Sequence, residues 1–251
     1  AGIQADIKTI TMHGMYAMSA ITALTAQNTT GVYGIMNSSA DFLKNQIDCI
    51  FNDIRPDAVK IGMVSDVEII EAIAEKLKEY KAVNIVADPV MVATSGSRLI
   101  SEDATDALMT KLLPLADIIT PNLAEAEVLT GMKITTREEM ERAAKVLSDK
   151  LPSTVGIVIK GGHLDDTADD LLYVNGTNHW INGKRIDNPN THGTGCTFSS
   201  SIACNLALTS DKVQAVTNAK EYLAGAIAAK LDLGHGSGPL MHNYKIVEKD
   251  I

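Results

Sequence analysis

The stretch "VEIIEAIAEKLKEYKAVNIVADPVM", residues 67–91, carries two periodicities in succession. From 67 to 81, Ile69, Ile70, Ile73, Ala74 and Leu77 recur at the i, i+3, i+4 spacing that gives a helix one apolar stripe. From 83 the chain is almost continuously apolar until Asp88, as a strand covered on both faces must be. The same unit recurs along the chain. Residues 42–54 precede "VKIGM" (59–63), residues 103–113 precede "ADIITPN" (116–122), and residues 137–151 precede "VGIVIKGGH" (155–163). Repeated alternation of this kind predicts a mainly parallel sheet with helices on both sides.

The alternation breaks once. Residues 169–188, "DDLLYVNGTNHWINGKRIDN", hold Asn-Gly pairs at 175–176 and 182–183. Asn-Gly supplies the positive φ angles of a type I′ turn, so this stretch predicts a hairpin meander. Two helices, about 194–208 and 211–231, follow. No repeat, low-complexity tract or linker divides the chain, which reads as one domain over 1–251.

Bulk properties narrow the function. The chain has 251 residues, 45% of them hydrophobic and 21% charged, enough for a sizeable core without staples. The net charge of 22 − 31 = −9 speaks against wrapping nucleic acid or an anionic membrane. Cys49, Cys196 and Cys204 form neither a disulfide framework nor a zinc pattern, which fits a reducing cytosol. No apolar run approaches the roughly 18 residues that span a bilayer.

In open α/β sheets, ligands sit beyond the carboxyl ends of the strands. Polar residues there are Asp88, Asn122 with Glu125, and Lys160 with Gly161 and Gly162. "THGTGCTFSSSIA" (191–203) places Gly193 and Gly195 at the mouth of a helix. The unpaired N–H groups of a helix start, on a backbone that glycine leaves bare, cradle an anion such as a phosphate. Thr191 and Thr194 add hydroxyls. The same pattern also describes a tight turn opening a packed helix. Cys196 falls in the first helical turn, where a thiol ionises more readily, while Cys204 and Cys49 read as small hydrophobes. Asn122 and Glu125 have capping-box spacing, and equally suit a hydrated magnesium ion, which takes one or two carboxylates. Lys160 suits nucleotide phosphates or a plain surface position, and His163 reads as a loop histidine. Gln27, after the apolar run 16–26, carries an amide that can pair bidentately with an aminopyrimidine edge. Together these placements point to phosphoryl transfer from a nucleotide to a small molecule.

The stretches "AGIQADIKT", "ITALTAQNT", "KIGM", "DPVM", "ITPNLAEAE", "KGGH" and "THGTGCTFSSSIA" together resemble the ribokinase-like superfamily. Within it they resemble the hydroxymethylpyrimidine and phosphomethylpyrimidine kinases of thiamine biosynthesis, over nearly the whole chain. The resemblance implies a three-layer α/β/α sandwich. It implies a cytoplasmic, dimeric kinase using ATP and Mg2+ on a small pyrimidine alcohol and its monophosphate. It assigns Gln27, Asp6, Met63 and Val90 to the pyrimidine, and Asp88, Asn122 and Glu125 to metal and phosphates. It assigns Lys160 and Thr191 to ATP, Gly193, Thr194 and Gly195 to the anion hole, and Cys196 to the position where most of the superfamily has an aspartate base. The alternatives are a pyridoxal kinase of the same superfamily and an inactive pyrimidine-binding sensor. Gln27 and Ile61 favour the pyrimidine over pyridoxal, and the retained Lys160, Asn122, Glu125 and "GTGC" speak against the sensor. The family's opening strand and glycine-rich loop, similar to "TIAGSDSSGG", are absent before Ala1, so the natural chain is expected to extend upstream.

Overall fold

A computed structural model describes residues 1–91, 100–162 and 167–246. The chain opens with α1 (Ile3–Met12), β1 (Ala23–Asn28), β2 (Gly31–Asn37) and α2 (Ala40–Asp53). Strand–helix alternation then runs through β3 (Val59–Ile61), α3 (Val67–Glu79), β4 (Ile85–Ala87), α4 (Glu102–Ala107), β5 (Ile118–Ile119), α5 (Leu123–Thr130), α6 (Arg137–Lys150) and β6 (Gly156–Ile159). The chain continues with β7 (Asp170–Val174), β8 (Thr177–Ile181), α7 (Thr194–Leu208) and α8 (Lys212–Ala228).

The main sheet has the order β3-β4-β5-β6-β7-β8. Its first four strands are parallel, and β7 and β8 are antiparallel, so the sheet is mixed at one side. Successive residues of each strand enter different layers. Ile85, Ala87, Ile119, Ile157, Ile159 and Leu171 pack with α2 to α6, whereas Val86, Ile118, Val158 and Leu172 pack with α7 and α8. This is why the strands read as unbroken apolar runs: a period-2 strand buried on both faces needs no polar position. Deleting such a buried side chain to alanine costs roughly 2–5 kcal/mol.

The helix of the decisive stretch forms as its spacing requires. Asp66 caps it by accepting from Glu68 N, and Ile69, Ile70, Ile73, Ala74 and Leu77 are all buried. The helix expected over 103–113 is interrupted. After α4 the chain makes a π turn (Leu108–Leu112) and a 3-10 turn (Leu113–Leu115). Pro114 lacks the N–H that a continuing helix needs.

The hairpin of β7 and β8 turns at Asn175 and Gly176, both at positive φ. Asn182-Gly183 makes no such turn. Gly183 is instead a close-approach position, where a Cβ would lie 2.5 Å from the Ala168 carbonyl oxygen. A second, two-stranded antiparallel sheet, β1 with β2, lies apart from the main sheet. It arises from residues read only as the end of an apolar run and the loop after it.

Candidate active site

All of the residues singled out from the sequence as site residues line one cavity of about 3270 Å³. His163 lies outside the described residues. A ligand pocket typically measures about 300–1,000 Å³, so this cavity exceeds its ligands. It runs on along the outer edge of β3, between Leu43, Ile47 and Phe51 of α2 and Ala203 and Ala207 of α7.

The end expected to hold the phosphates is built where strands stop and α7 begins. The parallel pairing of β5 with β6 extends by one bridge, Asn122 with Lys160, fixed by Lys160 N donating to Pro121 O at 2.9 Å. The Lys160 ammonium donates to Asp88 Oδ1 at 2.8 Å and lies 3.9 Å from Glu125 Oε2. Thr120 Oγ1 donates to the same Asp88 oxygen at 2.9 Å. Burial disfavours both charges, but each ion outweighs it for the other: Lys160 is raised above its ordinary range, and Asp88, also facing Lys60, is lowered. Glu125 differs. Burial pushes it up to about 7, with Lys160 only partly offsetting this.

Asn122 and Glu125 do form a capping box. Asn122 Oδ1 accepts from Glu125 N at 2.9 Å, and Glu125 Oε2 accepts from Asn122 N at 2.8 Å. An exposed capping glutamate suffices for that purpose. This one is only 2% exposed, faces the cavity and sits beside a lysine, so the cap also holds a carboxylate at the strand ends.

Gly193 begins α7 at φ +92, a conformation that suits glycine, and a Cβ there would lie 3.2 Å from the Ala1 Cα. The close approach brings the starts of α1 and α7 together, and the Gly2 N–H donates to Cys196 Sγ at 3.4 Å. A Cβ on Gly195 would lie 3.4 Å from both Asp88 Oδ2 and Lys160 Nζ. The first-turn amides of α7 therefore open directly beside the Asp88–Lys160 pair. Behind them, Thr197 Oγ1 donates to the Gly193 carbonyl at 2.8 Å and meets His242 Nε2 at 2.9 Å. Thr191 is held by its backbone N–H, which donates to Ser237 Oγ at 3.3 Å.

The residues expected at the pyrimidine lie at the other side of the cavity. Gln27 is exposed on β1, opposite Val32, just after a register shift between Ala26 and Gln27. The Met63 carbonyl accepts from Thr22 Oγ1 at 3.0 Å, and Val90 N donates back to the Asp88 carbonyl at 2.8 Å. Asp6 lines the cavity, but both of its oxygens accept from Lys60 Nζ, at 2.8 and 2.9 Å, and Oδ1 also accepts from Ser200 Oγ at 2.8 Å.

Sequence reading missed Lys60, Thr120, Ser200 and His242. Lys60 alone had a local signal, a lysine inside an otherwise apolar strand. The others matter through contacts with residues distant in the sequence.

A cavity at strand carboxyl ends, with the start of α7, a buried lysine and two carboxylates gathered at one end, suits a phosphotransferase of the α/β class. Residues 1–241 match the family model described as phosphomethylpyrimidine kinase. The chain is 46% identical over 244 residues to the thiamine biosynthesis bifunctional protein ThiED of Geobacter sulfurreducens, covering 96% of this chain and 49% of that protein. It is 46% identical to the hydroxymethylpyrimidine/phosphomethylpyrimidine kinase of Rhizobium meliloti, covering 98% and 92%. Among solved structures, phosphomethylpyrimidine kinase from Clostridium difficile superposes with a TM-score of 0.80 at 43% identity, covering 90% of this chain and 93% of that one. Bacillus subtilis pyridoxal kinase in its ADP complex superposes with a TM-score of 0.90 at 35% identity, covering 99% and 94%. The chain belongs to the phosphomethylpyrimidine kinase family, with a ribokinase-like fold.

Proposed function

We propose that this chain transfers the γ-phosphoryl group of ATP to the hydroxymethyl oxygen of 4-amino-5-hydroxymethyl-2-methylpyrimidine, and then to the resulting monophosphate, within thiamine biosynthesis in the cytoplasm. One observation carries the reading: residues spread from Asp6 to Cys196 meet on one cavity, with an anion cradle at one side and Gln27 at the other. In the first step the alcohol oxygen attacks the γ-phosphorus, the bond from phosphorus to the ADP oxygen breaks, and the alcohol proton passes to Cys196 Sγ. The amides of Gly193, Thr194 and Gly195 hold the transferring oxygens. Lys160 offsets their charge, and Thr191 and Asn122 line the nucleotide phosphates. Phosphoryl transfer asks mainly for this positioning and neutralisation.

Asp88 and Glu125 are hard oxygen donors side by side, which fits a magnesium ion that keeps most of its waters. Bound there, the ion would neutralise phosphate charge. Among the described residues no helix is long and apolar enough to cross a membrane. The lining along the outer edge of β3 suits the further strand that the family resemblance expects. The exposed β1–β2 sheet suits a second copy of the chain, making a homodimer.

The close superposition with a pyridoxal kinase makes pyridoxal the competing substrate. ATP consumption with the hydroxymethylpyrimidine, its monophosphate and pyridoxal, measured side by side, decides between them. Gln27→Met is expected to raise the KM for the pyrimidine by about one to two powers of ten, as loss of a bidentate pair implies. Unchanged pyrimidine affinity removes the assignment.

A further inference from the structure

The ribbon of β1 and β2 is exposed on nearly every residue, yet Thr29 at its tip is half-buried. The tip is shaped from within: Asn28 Oδ1 accepts from Thr30 N at 2.8 Å and from Thr30 Oγ1 at 2.7 Å. The Thr29 hydroxyl turns instead to the segment after α8. Thr29 Oγ1 accepts from His235 N at 3.1 Å and from Gly236 N at 3.3 Å. That segment is bare where the tip arrives. Gly234 is at φ +93, and a Cβ there would lie 2.5 Å from Thr29 Oγ1. A Cβ on Gly236 would run into the Thr29 carbonyl oxygen. A side chain at either position would push the tip away.

The same segment is fastened to the residues that lead into α7. Asn190 accepts from Gly238 N at 2.9 Å and donates to the Leu231 carbonyl at 3.1 Å. Ser237 Oγ donates to the Pro189 carbonyl at 3.2 Å and accepts from Thr191 N at 3.3 Å. Residues 231–239 therefore touch both the ribbon tip and the approach to α7. Gln27 lies two residues before Thr29. A two-stranded ribbon is marginal in water by itself, so the place where its tip is held decides where Gln27 stands. We infer that Thr29 is a positioning residue: its hydroxyl latches the ribbon onto residues 234–236 and so fixes Gln27 relative to the start of α7. The inference rests on the reading of Gln27 as the residue that meets the pyrimidine, and deepens it.

Deuterium uptake, followed by mass spectrometry, reads the latch without any substrate. Thr29→Val keeps the branched shape and removes the acceptor. It is expected to speed uptake over residues 23–37 about fivefold or more, the scale of one or two lost hydrogen bonds, and to leave uptake over α3 unchanged. Thr29→Ser, which keeps the acceptor, is expected to restore protection. In turnover, Thr29→Val is expected to raise the KM for the hydroxymethylpyrimidine several-fold and to leave the KM for ATP near its wild-type value, with Thr29→Ser bringing the pyrimidine KM back. A tip that is merely packed predicts otherwise, since valine fills the same space. Unchanged uptake over 23–37, uptake that rises equally over α3, or no rescue by serine overturns the inference. So does an unchanged pyrimidine KM in a variant whose ribbon has loosened. If Thr29→Val fails to fold, Gly236→Ala decides, because its methyl group meets the Thr29 carbonyl: faster uptake confined to 23–37 supports, and any other pattern overturns. Turnover of pyridoxal and not of the pyrimidine strikes at the proposed substrate and leaves the uptake result standing.

Discussion

Glu125 shows how one residue carries two duties. As the third residue of α5 it closes a capping box, which its spacing from Asn122 already predicts. Yet a cap does not require burial, and burial is what pushes its carboxyl up to about 7. A glutamine keeps the acceptor oxygen for Asn122 N and removes the charge. Glu125→Gln is therefore expected to change the melting temperature little, to lower activity, and to demand more magnesium. A large stability loss with unchanged magnesium dependence would reduce Glu125 to a cap. That the expected site residues gather on one cavity was legible at this scale because they follow directly on strands and helix starts, which periodicity locates. Lys60 was not, because "VKIGM" reads as a strand whichever way its lysine points, and only the arrival of Asp6 and Ser200 gives that lysine a role.

At the scale of elements, the start of α7, the proposed anion cradle, rests on a segment that has no regular structure. Residues after α8 return to the start of α7: His192 bridges to Pro239, Gly238 N donates to Asn190 Oδ1 at 2.9 Å, and His242 reaches Thr197. Nothing local in "LGHGSGPLMHN" announces this, since each contact spans 45 to 48 residues. The parallel strands were legible because both of their faces are buried. The β1–β2 sheet was not, since it is exposed on nearly every residue and so carries no alternation to read. The buried segment makes a pH prediction. Burial, with Lys8 nearby, lowers His242 to about 4. The unfolded chain takes up this proton near pH 6.5, while the folded chain resists it until about 4. The stability from keeping His242 neutral is thus complete above about 6.5 and falls as pH drops through that window. Denaturant midpoints at pH 7.5 and pH 5 are expected to differ less in His242→Gln than in the wild type. His13, also lowered by burial, leaves a residual slope in both. An unchanged pH dependence in the variant would show that His242 is already charged in the fold.

The whole molecule sets its own problem. With a net charge of −9 it repels its copies at long range, so self-association needs a local apolar surface. The β1–β2 sheet provides one. Leu24 and Met36 are cross-strand partners on one face at 54% and 63% exposure; Ile35 is exposed on the opposite face, Val32 and Tyr33 are exposed at the register shift, and Leu24, Val32, Tyr33 and Ile35 also line the cavity. A two-stranded sheet is marginal in water by itself, and contiguous exposed apolar surface marks an interaction site. Two copies related by a two-fold axis would bury the same patch on each other and brace both sheets. Because Gln27 sits on β1, bracing the sheet also steadies the residue proposed to read the pyrimidine. Sedimentation is expected to show a species of about 2 × 26.8 kDa, stable at micromolar concentration. Met36 does not line the cavity, so Met36→Asp attacks the interface without touching the site. A charge at the centre of an apolar interface costs several kcal/mol when left unpaired, and the variant is expected to sediment at about 26.8 kDa. Its KM for the pyrimidine should rise while its KM for ATP stays near the wild-type value, since the anion cradle is built from α7 and the strand ends. A wild-type chain that sediments as a monomer would refute the dimer. A monomeric Met36→Asp with an unchanged pyrimidine KM would separate the dimer from Gln27 and leave the sheet needing no partner to bind substrate.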